Sequence, residues 1–182
     1  MIVKGIVFDI NGTMTDILTN EADDHVYRVI SNLFSYQGIL LDPATTKDLY
    51  FRIQREQRAA AHETYPEFDA IEIFREIIRQ HSTDFTRSLP AAKLEQLPGF
   101  FAETYRAASR FRLHLYPGVD STIRQLHRNY RLAVVSDAQT AYAIPELNAV
   151  GLSGYFDPII VSGDYGYRKP DERVFTAALN AM

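Results

Sequence analysis

The chain has 182 residues, 46% hydrophobic, 23% charged and 12% aromatic, with a formal net charge of −4 and no cysteine. A globular chain of this length buries roughly 70% of its unfolded surface, so one core, or a core with a smaller inserted domain, needs no disulfide or metal to hold it. The profile excludes a disordered or fibrous chain, a disulfide framework, Cys-ligated zinc and thiol catalysis. The mildly acidic balance, with no basic run, argues against nucleic acid as a partner.

The run Ile2–Ile10 is short and nearly all apolar, which predicts a strand buried on both faces, as in a parallel sheet. Asp9 breaks it too early for a signal peptide or a membrane span, so a soluble cytoplasmic protein with no membrane partner is expected. A turn follows at Asn11-Gly12-Thr13. Helical spacing then dominates. Asn20 is placed to cap a helix reaching Tyr36 through Val26, Ile30 and Phe34, with Gly38 as its stop. Pro43 opens a second helix through the Ala59-Ala60-Ala61 run, and Glu67-Phe68-Asp69 leads into a third carrying Ile71, Phe74, Ile77 and Ile78. A fourth covers Ala91 to about Phe111, with a break expected at Pro98-Gly99. From Ile17 to Leu113 no strand is predicted.

Strand and helix alternate beyond that point. Tyr116-Pro117-Gly118-Val119 opens a helix through Ile123 and Leu126. Arg131–Val135 reads as a buried strand ending at Ser136-Asp137. A helix from about Ala138 stops at Gly151, Asp157–Val161 is a short strand, and a helix runs from Asp171. Alternation of this kind implies parallel crossovers and an α/β fold. Residues 1–16 and 114–182 are therefore expected to form a discontinuous α/β core, with 17–113 as an all-helical insertion.

Three polar clusters follow predicted strands: Asp9 to Thr13, Ser136-Asp137, and Ser162 to Pro170. Open α/β sheets bind ligands at the carboxyl ends of their strands, so these clusters are expected to meet. A carboxylate, a hydroxyl and an ammonium suit covalent transfer of an anionic group, the carboxylate attacking while the other two hold the anion. The histidines, His25, His62, His81, His114 and His127, make no metal-ligand pair at helical spacing. Arg52, Arg55 and Arg58 read as a solvated helix face, and Tyr27, Tyr50 and Tyr65 as packing residues.

Phe8-Asp9-Ile10-Asn11-Gly12-Thr13-Met14-Thr15-Asp16 resembles the first motif of the haloacid dehalogenase-like (HAD) hydrolase superfamily. Leu132 to Asp137 is similar to its second motif, and Arg168-Lys169-Pro170-Asp171 with Val174-Phe175 to its third. The Tyr116–Val119 and Gly154–Asp157 segments also match habitual stretches of that superfamily. The resemblance implies a Rossmann-like parallel-sheet core with a helical cap at 17–113. It implies Asp9 as nucleophile on a small phosphorylated substrate, through an aspartyl-phosphate. Ser136 and Lys169 would hold the phosphoryl group, with Gly12, Thr13 and Asp137 of the adjoining loops assisting. Mg²⁺ would be held by the Asp9 carboxylate and the backbone carbonyl of Asn11.

Two departures accompany the resemblance. Phosphatase members carry Asp at the position of Asn11, and an amide cannot exchange a proton in the ordinary range. Thirteen residues follow Lys169, with no acidic residue after Glu172. The chain is thus expected to stop before the acidic fourth motif. These departures leave two alternatives to a phosphatase: a dehalogenase-like hydrolase whose leaving group needs no proton, and a catalytically impaired binding or regulatory protein.

Overall fold

A computed structural model describes residues 3–182; Met1 and Ile2, where the first strand and the core segment were expected to begin, lie outside the described residues. In chain order the elements are β1 (Gly5–Phe8), β2 (Thr15–Thr19), α1 (Asp24–Tyr36), α2 (Pro43–Ala60), α3 (Ala70–His81), α4 (Asp84–Arg87) and α5 (Ala91–Ser109). They continue with β3 (Arg110–Leu115), α6 (Val119–His127), β4 (Arg131–Ser136), α7 (Thr140–Ala149), β5 (Ile159–Val161) and α8 (Glu172–Ala181). The chain divides into two compact units. One comprises the residues up to Leu18, Ala61–Glu67 and Arg112–Met182; the other comprises Thr19–Ala60 and Phe68–Phe111.

The first unit is built on a three-stranded sheet in the order β1-β4-β5, parallel at both pairings, with Phe8 opposite Val134 and Ser136 opposite Val161. Every β4 residue after Arg131 is buried. Leu132 and Val134 join a cluster with Ile123 of α6 and Ala143 and Leu147 of α7. Val135 joins a separate cluster with Val174 and Ala178 of α8. Side chains alternate across a strand, so β4 feeds two apolar layers at once, which is why its sequence reads as an unbroken apolar run. Asp171 caps α8 by accepting from Arg173 N, and the hydrogen bond from the Arg173 side chain holds its carboxyl down at about 2.

The second unit contains α1–α5. Its interior is aromatic: Tyr50 stacks on Tyr105 with ring centres 4.3 Å apart, Phe34 lies 4.3 Å from Phe101, and Phe74 stacks on Phe101 at 5.9 Å. Asp23, not Asn20, caps α1 by accepting from His25 N, while Asn20 Oδ1 accepts from Ala22 N in the turn before it. Gly38 takes φ +78°, and a Cβ there would meet Phe85 at 2.7 Å, so the chain reverses after α1 only with glycine.

Three expectations are corrected. Pro98-Gly99 does not interrupt α5, which runs through both residues. Pro98 is itself buried there with Leu97, Phe101, Ala102 and Tyr105, and burial of that face offsets the lost backbone hydrogen bond. Two strands occur where only helix was expected: β2 and β3 pair into a two-stranded sheet, and the unit boundaries fall inside them. β3 is mostly half-buried or exposed and carries two arginines and a histidine, so it lacks the apolar signature of the inner strands. Finally, 61–67 does not belong with the helices that flank it in sequence but with the α/β unit.

Tyr27 carries a pH-dependent part of the stability. Its hydroxyl donates to Glu21 O at 2.7 Å and lies 3.4 Å from the Tyr105 hydroxyl. Burial pushes its pKa up to about 12 from 10.0. A raised value favours the protonated form in the folded state. The stabilisation is therefore complete below about pH 10 and is lost as the pH rises through about 12. Urea midpoints are expected to fall above pH 10, with a smaller fall in Tyr27→Phe; equal slopes in the two proteins would contradict this assignment.

Candidate active site

The first loop after β1 is closed by its own backbone. Ile10 O accepts from the N–H groups of Thr13, Met14 and Thr15 at 3.2, 2.8 and 3.0 Å, and Gly12 N donates to Thr15 O at 2.9 Å. Gly12 has φ +77°, a conformation that only glycine adopts without strain. The N–H of Gly12, a residue expected to assist in holding the phosphoryl group, is engaged inside the loop by that bond. Thr13 is exposed on the turn. Asn11 Oδ1 accepts from the Thr15 hydroxyl at 3.1 Å.

Asp9, at the carboxyl end of β1, accepts from Ile10 N at 2.9 Å through Oδ1, and the same oxygen lies 2.8 Å from Lys169 Nζ. Lys169 is held from two further sides. Its N–H donates to Asp137 Oδ1 at 2.9 Å, and its Nζ reaches Val135 O at 3.3 Å. Ser136 ends β4 and is buried, whereas Asp137, the next residue, is exposed. The fold thus brings Asp9 and Lys169 into contact across 160 positions of sequence, beside the strand end that bears Ser136. Asp137 enters as the residue that anchors the lysine's backbone. Asp164 is a structural acceptor, taking the Thr140 hydroxyl at 2.6 Å. In the same unit a 480 Å³ cleft lined by Lys4, Arg128 and Arg131 opens at the opposite, amino end of the strands.

The segment 63–67 is absent from any sequence-based view of the site. Glu67 is buried and accepts from the Ser162 hydroxyl at 2.9 Å. Tyr65, expected to pack, is exposed, and its carbonyl accepts from Arg168 N at 3.0 Å. In the helical unit Tyr27 and Tyr50 are buried, Arg52 and Arg55 are exposed, and Arg58 lies over the Phe68 ring at 4.8 Å.

Among the described residues no group of three or more His, Asp or Glu side chains is placed to hold a metal ion. Mg²⁺ takes hard oxygens and commonly binds through one or two carboxylates, with water and phosphate oxygens completing its octahedron. The Asp9 carboxylate and the Asn11 carbonyl are oxygens of that kind on a single loop. Neither Asn11 backbone group takes part in the hydrogen bonds that close the loop, so the donors present suit such a partial site.

Residues 3–182 match the family model described as haloacid dehalogenase-like hydrolase. The chain belongs to that family. Among curated proteins, this HAD-like hydrolase is 30% identical over 146 residues to a phosphoglycolate phosphatase of Agrobacterium fabrum, covering 78% of the chain and 62% of the relative. It is 29% identical over 122 residues to a glyceraldehyde 3-phosphate phosphatase of Methanothermobacter thermautotrophicus, covering 63% of the chain and 54% of that protein. The chain therefore spans little more than half the length of these relatives. A solved structure, the 2-haloacid dehalogenase of Pseudomonas syringae, superposes with a TM-score of 0.58 at 18% identity, covering 98% of the HAD-like chain and 72% of the dehalogenase; the likeness is one of fold. Among the described residues no helix is long and apolar enough to cross a membrane.

Proposed function

We propose that this HAD-like hydrolase acts on small phosphorylated metabolites by transferring the phosphoryl group to Asp9. The observation that carries the reading is the Asp9–Lys169 pair, 2.8 Å apart at the strand ends beside Ser136. The phosphatase names of the curated relatives support the same substrate class.

In this reading an Asp9 carboxylate oxygen attacks phosphorus and the bond from phosphorus to the ester oxygen breaks. Lys169 offsets the charge on the phosphoryl oxygens, and the Ser136 hydroxyl donates to one of them. Water then attacks phosphorus and the Asp9 carboxylate leaves, regenerating the enzyme and releasing phosphate. Mg²⁺, held by the Asp9 carboxylate and the Asn11 carbonyl, would supply further charge neutralisation at the phosphate. The Asn11 amide hydrogen-bonds but delivers no proton, so the departing oxygen draws its proton from water. We assign the helical unit, inserted between β1 and β4, the part of the family's cap.

Asn11 also gives specific support to a second reading, a substrate whose leaving group needs no proton. Three substrates separate the readings: an aryl phosphate, an alkyl phosphate and a 2-haloacid. Turnover of phosphates, fastest with the aryl ester, is the expected result. Turnover of the haloacid alone would replace the phosphatase reading by the dehalogenase one. Phosphate binding without turnover of any substrate would favour a binding protein.

A further inference from the structure

The structure assigns Glu67 as a positioning residue for Lys169, and we propose that the strap 63–67 fixes the lysine loop against the strand end that carries Ser136. This rests on the phosphoryl-transfer reading, in which Lys169 must face Asp9. Three sets of contacts within the α/β unit carry it. Along its backbone the strap pairs with the residues just before Lys169: Glu67 N donates to Gly166 O at 2.9 Å, Arg168 N donates to Tyr65 O at 3.0 Å, and Pro66 bridges Tyr167. At one end Glu63 pairs with Arg173 of α8, whose guanidinium also lies 3.8 Å from the centre of the Tyr167 ring. At the other end Glu67 accepts from Ser162, and the same Ser162 oxygen accepts from Ala138 N at 3.0 Å.

Ser162 thus joins Glu67 to Ala138, which follows Asp137, the residue that anchors Lys169 N. Both Glu67 and Ser162 are buried, at 7% and 1% exposure, so removal of either costs the link a buried, charge-assisted hydrogen bond. The loop from Ser162 to Pro170 contains two glycines and only a short 3₁₀ turn at Ser162–Asp164. Such a segment holds one conformation only where other chain segments pin it.

The test follows the reactivity of the chain's four lysines, Lys4, Lys47, Lys93 and Lys169, towards an amine-acylating reagent, read site by site by mass spectrometry. In E67A and in S162A, labelling of Lys169 is expected to rise about tenfold while the other three lysines are unchanged. That is the factor by which losing one buried hydrogen bond shifts a local opening equilibrium. E67Q keeps an oxygen that accepts from Ser162 and is expected to label within about twofold of the parent. Where E67A loses the fold, S162A gives the decision by the same criterion. Unchanged Lys169 labelling would overturn the proposal, as would a rise shared by all four lysines in both variants. Protection of Lys169 by inorganic phosphate in the parent protein tests the phosphoryl-transfer reading separately, since it depends on the anion site and not on the strap.

Discussion

Asp9→Asn is expected to lower phosphate-ester turnover by on the order of 10⁴-fold or more, the scale seen when a covalent nucleophile is removed. The amide keeps the size of the side chain and an oxygen to accept from Ile10 N, so the loop retains its closing hydrogen bonds. What it loses is the negative oxygen that attacks phosphorus and the charge opposite Lys169, 2.8 Å away. The comparison is kcat/KM for an aryl phosphate in the two proteins, with urea midpoints as a check on folding. Residual activity within tenfold of the parent would mean that another group attacks phosphorus.

Asn11→Asp is expected to act in the opposite direction, raising alkyl-phosphate hydrolysis by about 10²-fold, within the usual contribution of a positioned general acid. Oδ1 of Asn11 already accepts the Thr15 hydroxyl, and a carboxyl of the same shape can keep that contact while its other oxygen gains a proton to give. Aryl phosphates, whose leaving groups need less protonation, should gain less. A second carboxylate near Asp9 adds repulsion, which the Lys169 ammonium counters. Rate–pH profiles with both esters separate the effects. An unchanged alkyl-phosphate rate across the profile would show that residue 11 is not where the departing oxygen takes its proton.

The elements that position the site were legible because their sequences carry a physical signature. β4 is apolar on both faces, as an inner parallel strand must be, and the polar residues that follow β1, β4 and β5 fall at one end of the sheet. That placement brings Asp9 and Lys169 together although nothing local in the sequence links them. Pro98 misleads because the residue's intrinsic cost in a helix is local, whereas the aromatic packing that overrides it joins four helices. β2 and β3 escape notice because they are short and carry charge: Asp16 of one pairs with Arg112 of the other at 2.9 Å.

The strap at 63–67 was illegible for a different reason. It attaches through backbone groups of Tyr65 and Glu67, which any residue supplies, and its side-chain contacts use two glutamates, Glu63 and Glu67, among many. Its one local signal is Pro66, which biases Tyr65 towards an extended backbone between two helices. Asp137 was expected to assist in holding the phosphoryl group, and its contact with Lys169 N gives it a definite task in the folded chain.

Transfer of the phosphoryl group to Asp9 leaves an acyl phosphate that chemical trapping detects. The protein is mixed with an aryl phosphate and Mg²⁺, denatured within a turnover, and reduced with borohydride, which converts an acyl phosphate to an alcohol. Homoserine is expected at position 9 in the digested peptide, present only when substrate was added and absent in Asp9→Asn. Release of phosphate with an unmodified residue 9, or with the reduced acyl group at another carboxylate, would contradict it.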